Sequence, residues 1–253
     1  MNEHSDADAA RALIACLDLT NLNDDCTEAD IAALCKRAET PQGRVAAICI
    51  WPRFVALARS LAAPELRIAT VVNFPHGSDD PERTAKDAAA ALSDGADEID
   101  MVIDYRRLAD TPGHVERQVR TVKQAVGPKL LKAILETGEL ATPDLIAQAA
   151  QEALAGGADF LKTSTGKTAR HASLEAATIM LQAIAAHGGT VGLKASGGIR
   201  SFEDARSYRD LVEEFCGTGW AGPEHFRIGA SAVLGDFLAV AGGTARATHK
   251  ATY

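Results

Sequence analysis

Eight short apolar runs rich in β-branched residues recur along this 253-residue chain, and each leads into a longer, alanine-rich amphipathic stretch. The runs read as strands over 16–19, 45–51, 67–74, 98–104, 129–136, 160–165, 192–196 and 226–229. The stretches between them predict helices over 28–39, 53–61, 81–94, 115–125, 143–155, 174–187 and 202–215, with a last one over 231–240. A strand that returns through a helix re-enters its sheet in the same direction, so this alternation demands parallel strands. The punctuation agrees. Thr27 precedes a helix with a carboxylate three residues on, and Thr142-Pro143-Asp144 supplies a cap followed by proline in the first turn. Gly95 and Gly156-Gly157 stand where helices should stop.

Eight such units in about 250 residues match an α/β fold of the (β/α)₈ TIM-barrel class. An open, doubly wound sheet is the alternative, but its dinucleotide-binding form needs a GxGxxG turn after the first strand, and none is there. No linker, low-complexity tract or composition shift divides the chain. Residues 1–253 therefore read as one barrel domain, with a short N-terminal helix and a mobile tail over 242–253.

Charge and composition exclude several functions. A net charge of −8 disfavours a nucleic-acid or anionic-membrane partner. No apolar run approaches the roughly 18 residues of a membrane span, and the polar, acidic residues 1–12 do not make a secretory signal. Cys16, Cys26, Cys35, Cys49 and Cys216 are scattered without a CxxC pair, as expected of reduced thiols in the cytoplasm. The histidines show no HxxxH or HxH spacing, so no metal site is expected.

Three strands each carry a lysine at a matching place: Lys132 in LLKAILE, Lys162 in DFLKTST and Lys194 in VGLKASGG. Lysine is rarely buried unless paired. One such residue is readily explained as a strand-end side chain snorkelling to solvent; three in phase, each followed by a small polar or glycine-rich turn, point to a site. Side chains alternate along a strand, so Lys132 shares a face with Ile134 and Glu136, Lys162 with Ser164 and Gly166, and Lys194 with Ser196 and Gly198. On neighbouring strands about 4.8 Å apart the three amines would converge at the C-terminal end of the barrel, where active sites of this fold are built. Two like charges about 4 Å apart repel by about 4 kcal/mol at an effective dielectric of 20. That is roughly three pKa units, enough to bring one amine from about 10.4 towards neutrality and make it a nucleophile. Asp100, in GADEIDMVID and in phase with Val102 and Asp104, offers a carboxylate to pair with the lysines or relay protons; Asp18 in CLDLTNL offers a second.

Two stretches suit a phosphate. KTSTGK sets hydroxyls, Gly166 and Lys167 just past a strand, and ASGGIRS and IGAS follow the seventh and eighth strands, where barrels bind phosphate through backbone N–H groups. Gly197, Gly198 and Ser231 are the candidates there, against the plainer reading that such glycines only permit tight turns. The segment TGKT is not a nucleotide-binding P-loop, because Leu161 occupies the position that needs glycine. Cys49 reads as core and His76 as a loop-shaping residue.

At these residues the chain resembles the deoxyribose-phosphate aldolase family. The resemblance spans nearly the whole length, through LDLTNLNDD, AAICIWPRF, RIATVVNFPHG, GADEIDMV, LLKAILETGEL, GADFLKTSTGK, GLKASGGIR and FRIGAS, to a terminal tyrosine. It implies a (β/α)₈ aldolase that cleaves a phosphorylated sugar through a lysine Schiff base, with no cofactor or metal, and that pairs as a homodimer. By position, Lys162 is similar to the imine-forming lysine, Lys194 to the neighbour that lowers its pKa, and Asp100 to the proton-moving carboxylate. Lys132 and Asp18 look like its partners around the substrate hydroxyl. Gly166, Lys167, Gly197, Gly198 and Ser231 resemble the phosphate contacts, and Tyr253 a tail tyrosine linked to proton abstraction. The sequence departs at Ala195-Ser196, Asp104 and Ala232, the last removing a hydroxyl beside Ser231. Two readings stay beside this one: an imine-forming aldolase or transaldolase for another phosphosugar, and a catalytically silent phosphosugar-binding barrel.

Overall fold

A computed structural model describes residues 3–243. Eight parallel strands close into a barrel: β1 (Leu17–Asn21), β2 (Ala47–Ile50), β3 (Arg67–Val72), β4 (Glu98–Val102), β5 (Leu130–Ile134), β6 (Phe160–Lys162), β7 (Gly192–Ser196) and β8 (Phe226–Ala230). Each pairs with its successor, and β8 closes on β1 with Leu17 opposite Ile228. Helix α1 (Glu3–Ala15) precedes the barrel and packs on its last helix. The helices that follow the strands in turn are α2 (Glu28–Ala38), α3 (Val55–Leu61), α4 (Pro81–Ser93), α5 (His114–Val126), α6 (Pro143–Ala155), α7 (Leu174–His187), α8 (Phe202–Cys216) and α9 (Leu234–Ala241). This is the TIM-barrel class expected from the alternation, with its N-terminal helix. Of the expected tail, only Gly242 and Gly243 are described; Tyr253 lies outside the described residues.

The caps form as their residue types dictate. The Thr27 hydroxyl accepts the Asp30 N–H at 3.3 Å while the Asp30 carboxylate accepts the Thr27 N–H at 2.9 Å. Ser201 and Asp204 repeat this box at α8. Several elements are shorter than expected or shifted by a few residues, and three differences stand out. The sixth strand stops at Lys162 rather than 165, because the Thr165 N–H and hydroxyl turn to the Glu136 carboxylate in place of a strand neighbour. The helix expected over 53–61 opens with a 3₁₀ turn at Pro52–Phe54. A small hairpin, Glu39–Thr40 against Gly43–Arg44, escaped the periodicity because two-residue strands have none.

The apolar core lies mainly between strands and helices, as the outward residues Leu131, Ala133, Leu161, Leu193 and Ala195 illustrate. The barrel interior is divided. Its β2–β3 side is apolar, with Ala47, Cys49, Ala69 and Val71 clustered under Leu22. Its remaining wall carries buried ions. The Phe160 ring lies beneath them, with the Arg227 guanidinium 5.6 Å from its centroid. That ring requires glycine across from it, since a Cβ on Gly192 would stand 2.3 Å from Phe160 Cε1. Gly192→Ala should therefore destabilise the fold by about 1–3 kcal/mol, read as a lower denaturation midpoint; an unchanged midpoint would mean the ring has room to retreat.

Candidate active site

The strand register assembles the site. Asp100 on β4 stands opposite Lys132 on β5, Lys162 on β6 opposite Lys194 on β7, and Lys194 opposite Arg227 on β8. The three lysines, Asp100 and Asp18 all lie inside the barrel, Lys162 only 2% exposed and the others fully buried.

Asp100 binds all three amines. Its Oδ1 accepts Lys132 Nζ at 2.8 Å, and its Oδ2 accepts both Lys162 Nζ at 2.8 Å and Lys194 Nζ at 2.7 Å. The lysines differ in what else they meet. Lys132 also donates to Glu98 at 2.5 Å and lies 3.7 Å from Asp18. Lys194 also donates to Asp18 at 2.5 Å. Lys162 has the single carboxylate Asp100, an oxygen of which it shares with Lys194.

This difference sorts the amines. Burial disfavours every ammonium here, but the carboxylates overcome it for two of them: Asp100 and Glu98 raise the pKa of Lys132, and Asp100 and Asp18 raise that of Lys194. For Lys162 burial prevails, the Lys194 charge adds to it, and the pKa falls below the ordinary lysine value. The expectation from crowding alone is thereby corrected. Like-charge repulsion is the second cause of the lowering, and it acts on one amine because the other two are better neutralised. The lysines in turn hold the pKa of Asp100 and Asp18 below the usual carboxylate range, against their own burial.

Two members of this network were not singled out in the sequence. Glu98 and Arg227 are buried and joined by bonds of 2.9 and 3.1 Å, and Arg227 also donates to Asp18 at 2.7 Å. Both carried a readable signal. Glu98 precedes Asp100 by two residues and so shares its face, and Arg227 is a cation inside an apolar strand, the same anomaly that exposed the lysines.

Above the charged layer opens a cavity of about 1090 Å³, lined by Thr20, Gly166, Lys167, Ser196, Gly197, Gly198 and Ser231 among others. The five residues expected around a phosphate thus border one space. Lys162 and Lys194 are not in its lining; they lie two register positions below Ser196 and Gly229, which are. Gly197 and Gly198 have φ of 87° and 77°, and a Cβ on either would press on His171 at 3.3 or 3.2 Å, so glycine is required there for shape as well as conformation. Thr163 ties the strand ends together, its Oγ1 accepting the Ser196 N–H at 3.0 Å and donating to Ser196 O at 3.1 Å.

Glu136 shapes the Gly166 turn. Its φ of 53° leaves regular strand geometry, so the β5 alternation ends at Ile134, and its buried carboxylate accepts Thr165 Oγ1 at 2.5 Å and Thr168 Oγ1 at 3.3 Å. Asp104 likewise lies past the end of β4, its carboxylate 3.3 Å from His114 Nε2, with Asp79 3.5 Å from the same nitrogen. Arg107 is paired with Asp79 at the edge of the group. Cys49 lies in the barrel interior rather than the outer core, and burial raises its pKa and keeps it a neutral thiol.

Residues 12–222 match the model of the DeoC/LacD family aldolases. A curated protein of Agrobacterium fabrum, strain C58, described as deoxyribose-phosphate aldolase, is 52% identical over 240 residues, covering 93% of each chain. A crystal structure from Toxoplasma gondii ME49, of a protein proposed to be a deoxyribose-phosphate aldolase, superimposes with a TM-score of 0.86 at 29% identity, over 96% of this chain and 98% of that one. A deoxyribose phosphate aldolase from Aeropyrum pernix, described as a unique tetramer, aligns with a TM-score of 0.73 at 26% identity over 94% and 95%.

Proposed function

We propose that this chain, which belongs to the DeoC/LacD family of aldolases, reversibly cleaves 2-deoxy-D-ribose 5-phosphate to D-glyceraldehyde 3-phosphate and acetaldehyde. The observation that carries the reading is a buried amine, Lys162, held by one shared carboxylate between two lysines that each meet two or more, an arrangement that lowers its pKa and raises theirs. An uncharged amine is what addition to an aldehyde carbon needs.

In the cleavage direction Lys162 Nζ adds to the C1 aldehyde, and Lys194, charged beside it, keeps the attacking amine neutral. Loss of water leaves a protonated imine, which draws electrons from the C2–C3 bond as that bond breaks. The proton of the C3 hydroxyl leaves at the same time. Asp100, with Lys132 and a water, receives it; a carboxylate held below its usual pKa passes the proton on rather than storing it. Asp18 fixes Lys194 and, at longer range, Lys132. D-glyceraldehyde 3-phosphate departs, the enamine is protonated at C2, and hydrolysis frees acetaldehyde and Lys162. The cavity holding Gly166, Lys167, Gly197, Gly198 and Ser231 takes the 5-phosphate, which turning glycine backbone can bind through its N–H groups. Tyr253 is assigned to protonation at C2 on the resemblance alone.

The barrel acts as one domain in this proposal, and the chain pairs with itself. No helix among the described residues is long and apolar enough to cross a membrane, and all five cysteines are free, which supports a reducing, cytoplasmic setting. The direct test supplies 2-deoxy-D-ribose 5-phosphate and measures both products. Equimolar acetaldehyde and D-glyceraldehyde 3-phosphate are expected, with unphosphorylated deoxyribose a far poorer substrate. Preference for a ketose donor would move the chain to another phosphosugar, and binding without turnover would make it a silent barrel.

A further inference from the structure

We propose that Glu98 and Arg227 are positioning residues that set the protonation of Lys162 through the charge balance of the barrel interior, without touching substrate. The inference rests on the imine-forming reading above.

The fully buried ions among the described residues of this network are the cations Lys132, Lys162, Lys194 and Arg227 and the anions Asp18, Glu98 and Asp100. One cation is in excess. Arg67 reaches Glu98 at 3.5 Å from the barrel's open lower end, but it is bound by Glu224 at 2.8 Å and cancels against it. An interior remote from solvent resists a net charge. The excess is relieved when one lysine gives up its proton, and the least compensated is Lys162.

The charged and titratable groups that share the barrel interior with Lys162 stand on six other strands, and Asp100, Lys194 and Cys49 act on it most strongly. The full set is Asp18 on β1, Glu98 and Asp100 on β4, Lys132 on β5, Lys194 on β7 and Arg227 on β8, with the neutral thiol of Cys49 on β2. None of these ions is in the cavity lining, and Glu98 and Arg227 bond other members of the network rather than Lys162. They reach Lys162 only through others: Arg227 by way of Asp18 and Lys194, and Glu98 by way of Lys132 and Asp100. Each sits two strands from β6, on opposite sides, so about 10 Å separates each from the amine. At that range one buried charge moves a pKa by about one unit. Arg227 has the further anchor of Pro223 O, which accepts its Nε–H.

The sign differs between the two. Removing the cation (Arg227→Gln) leaves Lys162 more basic, so less of it is neutral at a given pH and the acid limb of the rate profile moves up by about one pH unit. Removing the anion (Glu98→Gln) makes the excess larger, lowers the Lys162 pKa, and moves the limb down by a similar amount. Glu98→Asp and Arg227→Lys keep both charges and should leave the limb in place whatever they cost in rate.

The experiment measures borohydride trapping of full-length enzyme with acetaldehyde across pH, each variant normalised to its own plateau. The midpoint of the limb does not depend on how much of a sample folds, so a destabilised variant still reports. Opposite shifts of the two glutamine variants, with the double variant returning near wild type, is the expected result. Shifts in the same direction, or an unmoved limb in either variant, overturns the proposal and leaves the pair as scaffolding. Wild-type enzyme that fails to trap at Lys162 would instead sink the imine reading itself.

Discussion

Lys162→Ala is expected to lower turnover by about 10⁴-fold or more and to abolish the borohydride-stabilised adduct. No other group can replace it without reorganisation. Lys132 and Lys194 are also buried amines, but each is bound by at least two carboxylates that raise its pKa and keep it protonated. The loss should be chemical rather than structural. Asp100 keeps Lys132 and Lys194 after the substitution, at 2.8 and 2.7 Å, so no buried carboxylate is stranded. Mutant protein should therefore melt cooperatively and still bind a phosphorylated sugar. Peptide mapping of trapped wild type should place the added mass on residues 160–164; an adduct at Lys132 or Lys194 would reassign the nucleophile.

Lys194→Leu should both slow the reaction, by about 10²-fold or more, and move the acid limb to higher pH. The sign follows from the contacts. Lys194 shares Asp100 Oδ2 with Lys162, so its removal takes away a repelling charge and leaves that oxygen to Lys162 alone. Both changes favour the ammonium of Lys162. One strand step is about 5 Å, where two charges at an effective dielectric of 20 interact by about 3 kcal/mol, or roughly two pKa units. Activity then survives only where the pH exceeds this raised value. A slower enzyme with an unshifted limb would show that Lys194 orients the substrate and does not govern its neighbour's charge.

Why the lysines could be found beforehand while Glu98 and Arg227 were passed over has a physical answer. A cation inside an apolar run is anomalous in one dimension, because burial without a partner is too costly. The partner is a matter of register. Lys132 meets Asp100 because β4 and β5 align those two residues, and Arg227 meets Glu98 across the barrel, between strands that do not touch. Glu136 illustrates the same limit at one residue, since its left-handed backbone and its grip on Thr165 depend on where β6 ends. Boundaries such as that of the short β6 depart from the periodicity because side-chain hydroxyls and a neighbouring carboxylate compete for the backbone there.

The order of elements, the parallel closed barrel and the inward convergence of Lys132, Lys162 and Lys194 were determined by the sequence alone, because periodicity and helix punctuation are local properties of a chain. Which amine is least held in its charged form was decided only by the tertiary structure. All three lysines look alike in sequence, and their pKa values part because the fold brings three carboxylates to Lys132, two to Lys194 and one to Lys162. Electrostatic energy depends on distances in space, and these are set by strand register and barrel closure rather than by neighbours along the chain.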